Sequence, residues 1–106
     1  MKALNIADYN VSLPVDGVEK DVPYAVRPSL INLLFSQREL GAMEVLERDD
    51  LARKIRDWDG DTLLLEDAEF RQLELAVRSF KGYQKNDVEL VRRVVKADTV
   101  QPTVKQ

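Results

Sequence analysis

The pair Asp16-Gly17 constrains the fold of this chain more than any other feature of the sequence. Residues 9–15 before it and residues 18–26 after it both alternate between apolar and polar side chains. An Asp-Gly pair between two alternating segments is typical of a β-hairpin with a two-residue turn. The sequence therefore predicts a β-ribbon within residues 3–26. Because two strands alone are marginally stable in water, this ribbon must pack on the rest of the chain or pair with another chain.

The rest of the sequence predicts helices. Apolar residues at helical spacing, with glycine, proline and aspartate between the runs, indicate four of them. Since strands and helices are segregated along the chain, we expect an α+β fold, with an N-terminal β-hairpin or ribbon packed against a small bundle of about four helices. A length of 106 residues supports one domain, predicted over residues 1–97, followed by a flexible polar tail at 98–106. The predicted helices span about residues 28–36, 42–58, 66–80 and 86–97.

Each helical pattern also predicts which side chains enter the core. Pro28 suits the start of the first helix and Asn86 suits the N-cap of the last. The run Leu63–Leu65 is too short to assign to a helix or a strand. The predicted core faces are Met43, Leu46, Leu51, Ile55 and Trp58 in the second helix, Phe70, Leu73, Val77 and Phe80 in the third, and Val88, Val91 and Val95, widened by Leu90 and Val94, in the fourth.

The absence of two residue types narrows the chemistry. The chain has no cysteine and no histidine. Disulfides, zinc–thiolate sites and thiol nucleophiles are therefore excluded, and the commonest general base and metal ligand is missing. We expect a protein that is not an enzyme and that has no cofactor and no metal site.

One local motif resembles the start of a calcium-binding loop. Asp57, Asp59 and Asp61 stand at alternate positions between two predicted helices, as the first ligands of an EF-hand loop do. However, Thr62 stands where that loop needs glycine, and Ala68 stands where it needs a bidentate glutamate. The three aspartates are better explained as residues that end one helix and solvate the turn after it, and cation binding by them stays open.

The predicted ribbon is the favoured binding surface. Unpaired backbone groups at the edge of a strand readily take up another strand. Tyr9 and Val11 on one arm and Val22 and Tyr24 on the other are the residues that we assign to protein binding. Self-association into a symmetric oligomer through the same edge is a further expectation.

A second candidate surface is basic. Although the formal net charge is −3, Arg78, Lys81, Lys85, Arg92 and Arg93 cluster toward the end of the chain. Basic side chains near aromatics bind single-stranded nucleic acid in other proteins, and Tyr83 is the aromatic residue best placed to stack here. The acidic overall balance makes nucleic acid an unlikely partner. A solvated face, or a patch that docks on an acidic protein surface, explains the cluster better.

Four segments resemble small proteins encoded by tailed bacteriophages and prophages. The similar stretches are Val22–Phe35, Leu46–Ile55, Phe80–Tyr83 and Asn86–Val94, which together cover much of residues 22–97. The resemblance implies a phage origin and an accessory role in virion assembly or structure. It brings no catalytic residues with it, so none is assigned.

Three functional hypotheses follow. The first is a non-enzymatic phage accessory protein that binds a phage structural protein or a host protein. The second is an inhibitor of a host enzyme, such as RNA polymerase or a defence nuclease, whose acid-rich segment from Glu39 to Glu69 imitates nucleic acid. The third is a weak nucleic-acid-binding protein. Because the sequence shows neither a signal peptide nor a membrane-length apolar run, we expect it in the host cytoplasm or in the virion, and not in a membrane.

Overall fold

The computed structural model describes residues 1–100 and has the expected α+β architecture. The strands are β1 (Lys2–Asn5), β2 (Tyr9–Val15), β3 (Val18–Tyr24), β4 (Thr62–Leu65) and β5 (Asp98–Thr99). The helices are α1 (Val26–Leu34), α2 (Ala42–Asp57), α3 (Asp67–Ser79) and α4 (Val88–Val95). None of these helices is both long and apolar enough to cross a membrane.

Three short strands form a sheet that the sequence does not predict. β1 lies between β4 and β5, antiparallel to both, with Lys2 opposite Leu65 on one side and Thr99 on the other. Leu63 and Leu65 are buried while Thr62 and Leu64 are exposed, as the alternation of a strand requires. Two expectations are corrected by this sheet, because β1 is not part of the ribbon and because Asp98 and Thr99 are paired rather than flexible. The leucine run, which the sequence pattern left unassigned, is a strand. Residues 101–106 of the predicted tail lie outside the described residues.

The core lies where the helices meet this sheet. α1 contacts both α2 and α3, and α3 in turn contacts α4 and β4. The predicted stripe of the third helix is confirmed at Phe70, Leu73 and Val77, which are buried. Phe80 follows the end of α3 and is half-buried. The α4 core face is formed by Leu90 and Val94, whereas Val88 is exposed and Val91 and Val95 are half-buried. The prediction that Val88, Val91 and Val95 form the centre of the core face is therefore wrong. α4 is rotated about its axis so that Leu90 and Val94 face the core instead.

Two helices begin at other residues than predicted. α1 starts at Val26, so Pro28 is its third residue, where the missing N–H is still without an intrahelical partner. The carboxylate of Asp8 accepts a hydrogen bond from the Val26 N–H at 2.9 Å and so caps α1 from a distant part of the chain. Asn86 lies in a 3₁₀ turn over Lys85–Asp87 before α4, and the Asp87 side chain accepts the Gln84 N–H at 2.8 Å. Asn86 is therefore not the N-cap.

The first two turns of α2 extend beyond the end of α1. The two helices run antiparallel, because Arg48 donates to the Leu34 carbonyl at the end of α1 while Arg27, near its start, reaches the end of α2. The residues from 42 to 47 are all exposed, in agreement with a helix start that extends beyond α1. Met43 is 68% exposed and Leu46 57% exposed. The prediction that both enter the core is wrong, since no element within residues 1–100 buries these two side chains.

Arg48 points inward from α2, although arginine is rarely buried. Its side chain is fully buried beside Leu51, Ala52 and Ile55, on the same face of α2. Nη1 donates to the Leu34 carbonyl at 2.9 Å and Nε to the Gln72 side chain at 3.3 Å. Burial lowers the pKa of this guanidinium from its usual value. The contact with Leu34 satisfies one of the carbonyls that the end of α1 leaves without a partner.

Arg27 stabilises the opposite end of the α1–α2 pair. Its guanidinium donates to the carbonyls of Ile55, Arg56, Trp58 and Gly60, at 2.7 to 3.1 Å. α2 ends at Asp57, and Trp58 is half-buried at the edge of the core, where its indole N–H donates to the Thr62 carbonyl at 2.8 Å. The expectation that Trp58 is a core residue within α2 is therefore corrected. Arg27 binds together the end of α2 and the turn that follows it.

Candidate functional site: the hairpin arm and its corner

The β2–β3 hairpin projects from the body of the protein as an arm. Every residue from Ser12 to Asp21 is exposed. The Cα radius of gyration is 15.1 Å, against about 13 Å for a compact domain of this length. Asp16 and Gly17 both have positive φ, 52° and 80°, as a type I′ turn requires. The predicted hairpin and its turn are confirmed, with strands from Tyr9 to Tyr24.

The arm has one apolar face and one polar face. The register places Val15 opposite Val18, Leu13 opposite Lys20, Val11 opposite Val22 and Tyr9 opposite Tyr24. Since side chains alternate along a strand, all these residues share one face, and the other face carries pairs such as Ser12–Asp21 and Pro14–Glu19. On the apolar face Val18 is 58% exposed. No element of the described residues covers this face toward the tip of the arm.

Two prolines alter what the edges of the arm can bind. The residues that flank a two-residue turn form a hydrogen-bonded pair, so Val15–Val18 is such a pair and every second pair after it is too. Pro14 and Pro23 fall on the intervening pairs, whose backbone groups point outward. Each proline therefore costs no ladder hydrogen bond but removes one outward N–H from an edge. This arrangement opposes continuous strand addition and leaves the apolar face as the better binding surface.

The base of the arm is fixed to the body by tyrosines. The Tyr9 and Tyr24 rings stack with centroids 4.7 Å apart. The Tyr9 hydroxyl donates to the Asn86 carbonyl at 2.7 Å, and the Tyr24 hydroxyl donates to the Asp87 carboxylate at 2.5 Å. The guanidinium of Arg93 lies 4.9 Å from the centre of the Tyr9 ring. These contacts set the direction in which the apolar face of the arm points.

A concave surface forms where the arm meets the start of α4. This surface, which we call the corner, encloses about 460 Å³. It joins two groups of residues that the sequence suggested separately, the ribbon residues Tyr9 and Val11 and the basic residues Lys85 and Arg92, with Val88 between them. An adjoining apolar hollow of about 320 Å³ continues along α4 past Val91 and Val95. The corner is thus apolar at its centre, and its rim carries Lys85 and Arg92 together with Glu89, which accepts from Arg92 at 3.5 Å.

The other two assigned ribbon residues lie on the neighbouring strand. Val22 is half-buried opposite Val11, and Tyr24 faces a second hollow of about 300 Å³ beside α1. Asn32 and Gln84 line that hollow together with the Asp87 carboxylate, which already accepts the Tyr24 hydroxyl. The assignment of Tyr9, Val11, Val22 and Tyr24 to protein binding stays a prediction.

The structure separates the rest of the basic set. Arg93 is turned inward, where it donates to the Ala7 carbonyl at 2.6 Å and to the Glu89 carboxylate at 2.9 Å. Arg78 lies on α3 beside Glu74, at 3.4 Å, and Lys81 is exposed in the loop that follows α3. The Tyr83 hydroxyl donates to the Val77 carbonyl at 2.7 Å, so this ring is held against the core and is not free to stack on a base. The five basic residues therefore do not form one continuous surface.

The three aspartates of the calcium-like motif do not converge either. Asp57 accepts two hydrogen bonds from the adjacent Arg56 guanidinium, at 2.8 and 2.9 Å, which lowers the pKa of its carboxyl. Asp59 and Asp61 are exposed in the turn around Gly60. Within residues 1–100, acidic side chains nowhere form a group of three or more that could hold a metal ion.

The tyrosines at the base of the arm predict sensitivity to alkali. Burial, and for Tyr24 also the bond to Asp87, raises the pKa values of Tyr9, Tyr24 and Tyr83 above the usual 10.0. Above pH 10 the unfolded chain loses these protons first, so the free energy of unfolding is expected to fall as the pH rises through and beyond that value. Urea unfolding at about pH 9 and pH 11 measures the effect. Tyr24→Phe should show a smaller fall, and an equal fall in both proteins would contradict the assignment.

Sequence reasoning missed the exposed valines of α4. Apolar residues occupy positions 88, 90, 91, 94 and 95, which at 3.6 residues per turn span an arc of about 160° around this short helix. Only Leu90 and Val94 are buried. An apolar arc this wide indicates that two faces need cover, one from the core and one from elsewhere.

Comparisons with known proteins do not identify the chain. No family model matches this sequence, and no curated protein and no solved structure shows detectable similarity to it. Function is therefore inferred from the arm, the corner and the charge distribution.

Proposed function

We propose that this chain is a non-enzymatic protein that acts by binding another protein through the apolar face of its arm. The observation that carries the proposal is the projecting hairpin with Val11, Leu13, Val15 and Val18 on one face. A two-stranded ribbon is only marginally stable on its own, and a partner that buries its apolar face would stabilise it. The corner extends the same surface onto the body, and the lack of histidine and cysteine makes a catalytic role the weaker explanation.

The biological setting that we propose is virion assembly in a tailed bacteriophage. The support is the sequence resemblance in residues 22–97. A projecting arm also suits a protein that binds a neighbouring subunit in an assembly. The partner would be a phage structural protein, met in the host cytoplasm or within the virion.

Affinity capture from infected cells tests this function. The variant Leu13→Ser/Val18→Ser removes apolar surface from the arm, and the matched control Glu19→Ser/Asp21→Ser changes two exposed residues of its polar face. Wild type and control are expected to recover a capsid or tail protein, and the variant about tenfold less, equivalent to about 1.4 kcal/mol. Equal recovery by the variant would overturn the role of the arm. Recovery of a host polymerase or nuclease without virion proteins would favour the inhibitor hypothesis instead.

A further inference from the structure

A second exposed apolar surface lies at the overhang of α2. Leu75 of α3 is 49% exposed. Gln72 contacts Glu47 and Arg48, while Glu69, one turn earlier on α3, accepts a hydrogen bond from Lys54, further along α2. α3 therefore runs antiparallel to α2, which brings Leu75 level with the first turns of α2. Met43 and Leu46 are exposed there, and Phe35 is exposed just after the end of α1. We call this the overhang surface.

The α2 part of the overhang surface is acidic around its apolar residues, whereas Leu75 on α3 lies one turn from the exposed Arg71 and Arg78. Glu44, Glu47 and Asp50 are exposed on the same part of α2. Arg48 is the only basic residue between positions 39 and 52, and its side chain is buried. The exposed charge on this half of the helix is therefore entirely negative.

The corner has the opposite character. Val11 and Val88 form its apolar part, and Lys85 and Arg92 stand at its rim. Lys96 continues the basic rim along the hollow next to Val91 and Val95. The chain thus carries two apolar surfaces at different places on the same molecule, one flanked by acidic side chains on α2 and the other mainly by basic side chains on and before α4.

We propose that the overhang surface of one copy docks in the corner of a second copy. This inference rests on the proposed function in one respect, that the corner is a protein-binding surface. Complementary charge favours the contact and fixes its orientation. A single contact of this kind covers both of the exposed apolar surfaces.

The contact joins two different surfaces, so the association is head-to-tail. Each copy that docks leaves one unoccupied corner and one unoccupied overhang surface. Head-to-tail contacts build a ring where the rotation between copies closes and an open filament where it does not. This differs from the symmetric edge-to-edge oligomer expected from the sequence, which the two edge prolines oppose.

Two complementary variants test the proposal by sedimentation equilibrium. The overhang variant is Leu46→Ser/Asp50→Lys and the corner variant is Val88→Ser/Arg92→Glu. Wild type is expected to form species larger than its 12.1 kDa chain, and each variant alone to remain a monomer. An equimolar mixture of the variants should form a heterodimer and grow no further, because one intact overhang surface meets one intact corner. Asp59→Lys/Leu64→Ser, which alters an exposed acid and an exposed leucine elsewhere, should associate like wild type.

Each other result overturns the proposal. A wild type that stays monomeric up to about 1 mM, a millimolar Kd being the weakest binding worth measuring, removes self-association. Oligomers that persist in the overhang variant indicate a symmetric contact through the arm. Variants that stay monomeric when mixed show that the two surfaces do not bind each other. Circular dichroism of each variant separates lost association from lost folding, and capture of a virion protein through the arm would still support the proposed function in all these cases.

Discussion

Replacing Leu73 with alanine is expected to lower the free energy of unfolding by about 2 to 5 kcal/mol. Leu73 is fully buried on α3, the helix that contacts α1, α4 and β4. The truncation removes apolar contacts in the middle of the core and leaves a cavity that several packed elements would have to close. Chemical denaturation followed by circular dichroism measures the change.

Leu75→Ala is the matched control for this prediction. Leu75 lies on the same helix two residues away but is about half exposed. Its replacement is expected to change the free energy of unfolding by no more than about 0.5 kcal/mol, as is usual for surface positions. Equal losses in the two variants would show that the buried face of α3 is assigned incorrectly.

Replacing Arg27 with alanine is expected to lower the free energy of unfolding by about 2 to 3 kcal/mol, because its guanidinium donates hydrogen bonds to four carbonyls. Those carbonyls belong to the last turn of α2 and to the turn after it, where no intrahelical N–H is available to them. Hydrogen bonds from a charged donor contribute more than neutral ones, and some of these carbonyls regain water when the side chain is lost. Urea denaturation of wild type and Arg27→Ala measures the cost.

Two further variants define what Arg27 does. Arg27→Lys keeps the charge but replaces the planar fork by a single ammonium, so it should recover only part of the loss. Arg53→Ala removes an exposed arginine that pairs only with Asp49, one turn away, and should cost less than about 0.5 kcal/mol. A full recovery by lysine would mean that charge alone, and not the geometry of the fork, stabilises the end of α2.

Local sequence signals account for the parts of the fold that were predicted correctly. Asp16-Gly17 defines the hairpin because a type I′ turn selects for residues that accept positive φ. Phe70, Leu73 and Val77 define α3 because their spacing matches one face of a helix. The interactions that produce these elements all lie within a few residues of each other, so a single sequence contains them.

The missed features depend on contacts between distant residues. β1 has only four residues, and its partners lie at positions 62–65 and 98–99, so no periodic pattern marks it as a strand. The rotation of α2 follows from Arg48 turning inward to the end of α1, against the usual exposure of arginine. Because the sequence does not reveal that contact, the apolar spacing alone predicted that Met43 and Leu46 lie in the core.

The residues of the corner could be found only separately for the same reason. Tyr9 and Val11 could be assigned from the ribbon pattern, and Lys85 and Arg92 from their charge. That they line one concave surface follows from the contacts of Tyr9 with Asn86 and Arg93, which join residues about 80 positions apart in sequence. The apolar and polar faces of the arm, in contrast, follow from the hairpin register alone.

The position of β1 between β4 and β5 has a consequence for how the protein is made. Residues 2–5 leave the ribosome long before residues 62–65, their first strand partners. At about 5 to 20 residues per second this interval lasts roughly 3 to 12 s. The hairpin arm needs only residues 9–24 and can close during that interval. Each nascent chain therefore carries an unpaired strand until residues 62–65 have been translated, and the contacts of its arm with Asn86 and Asp87 form later still.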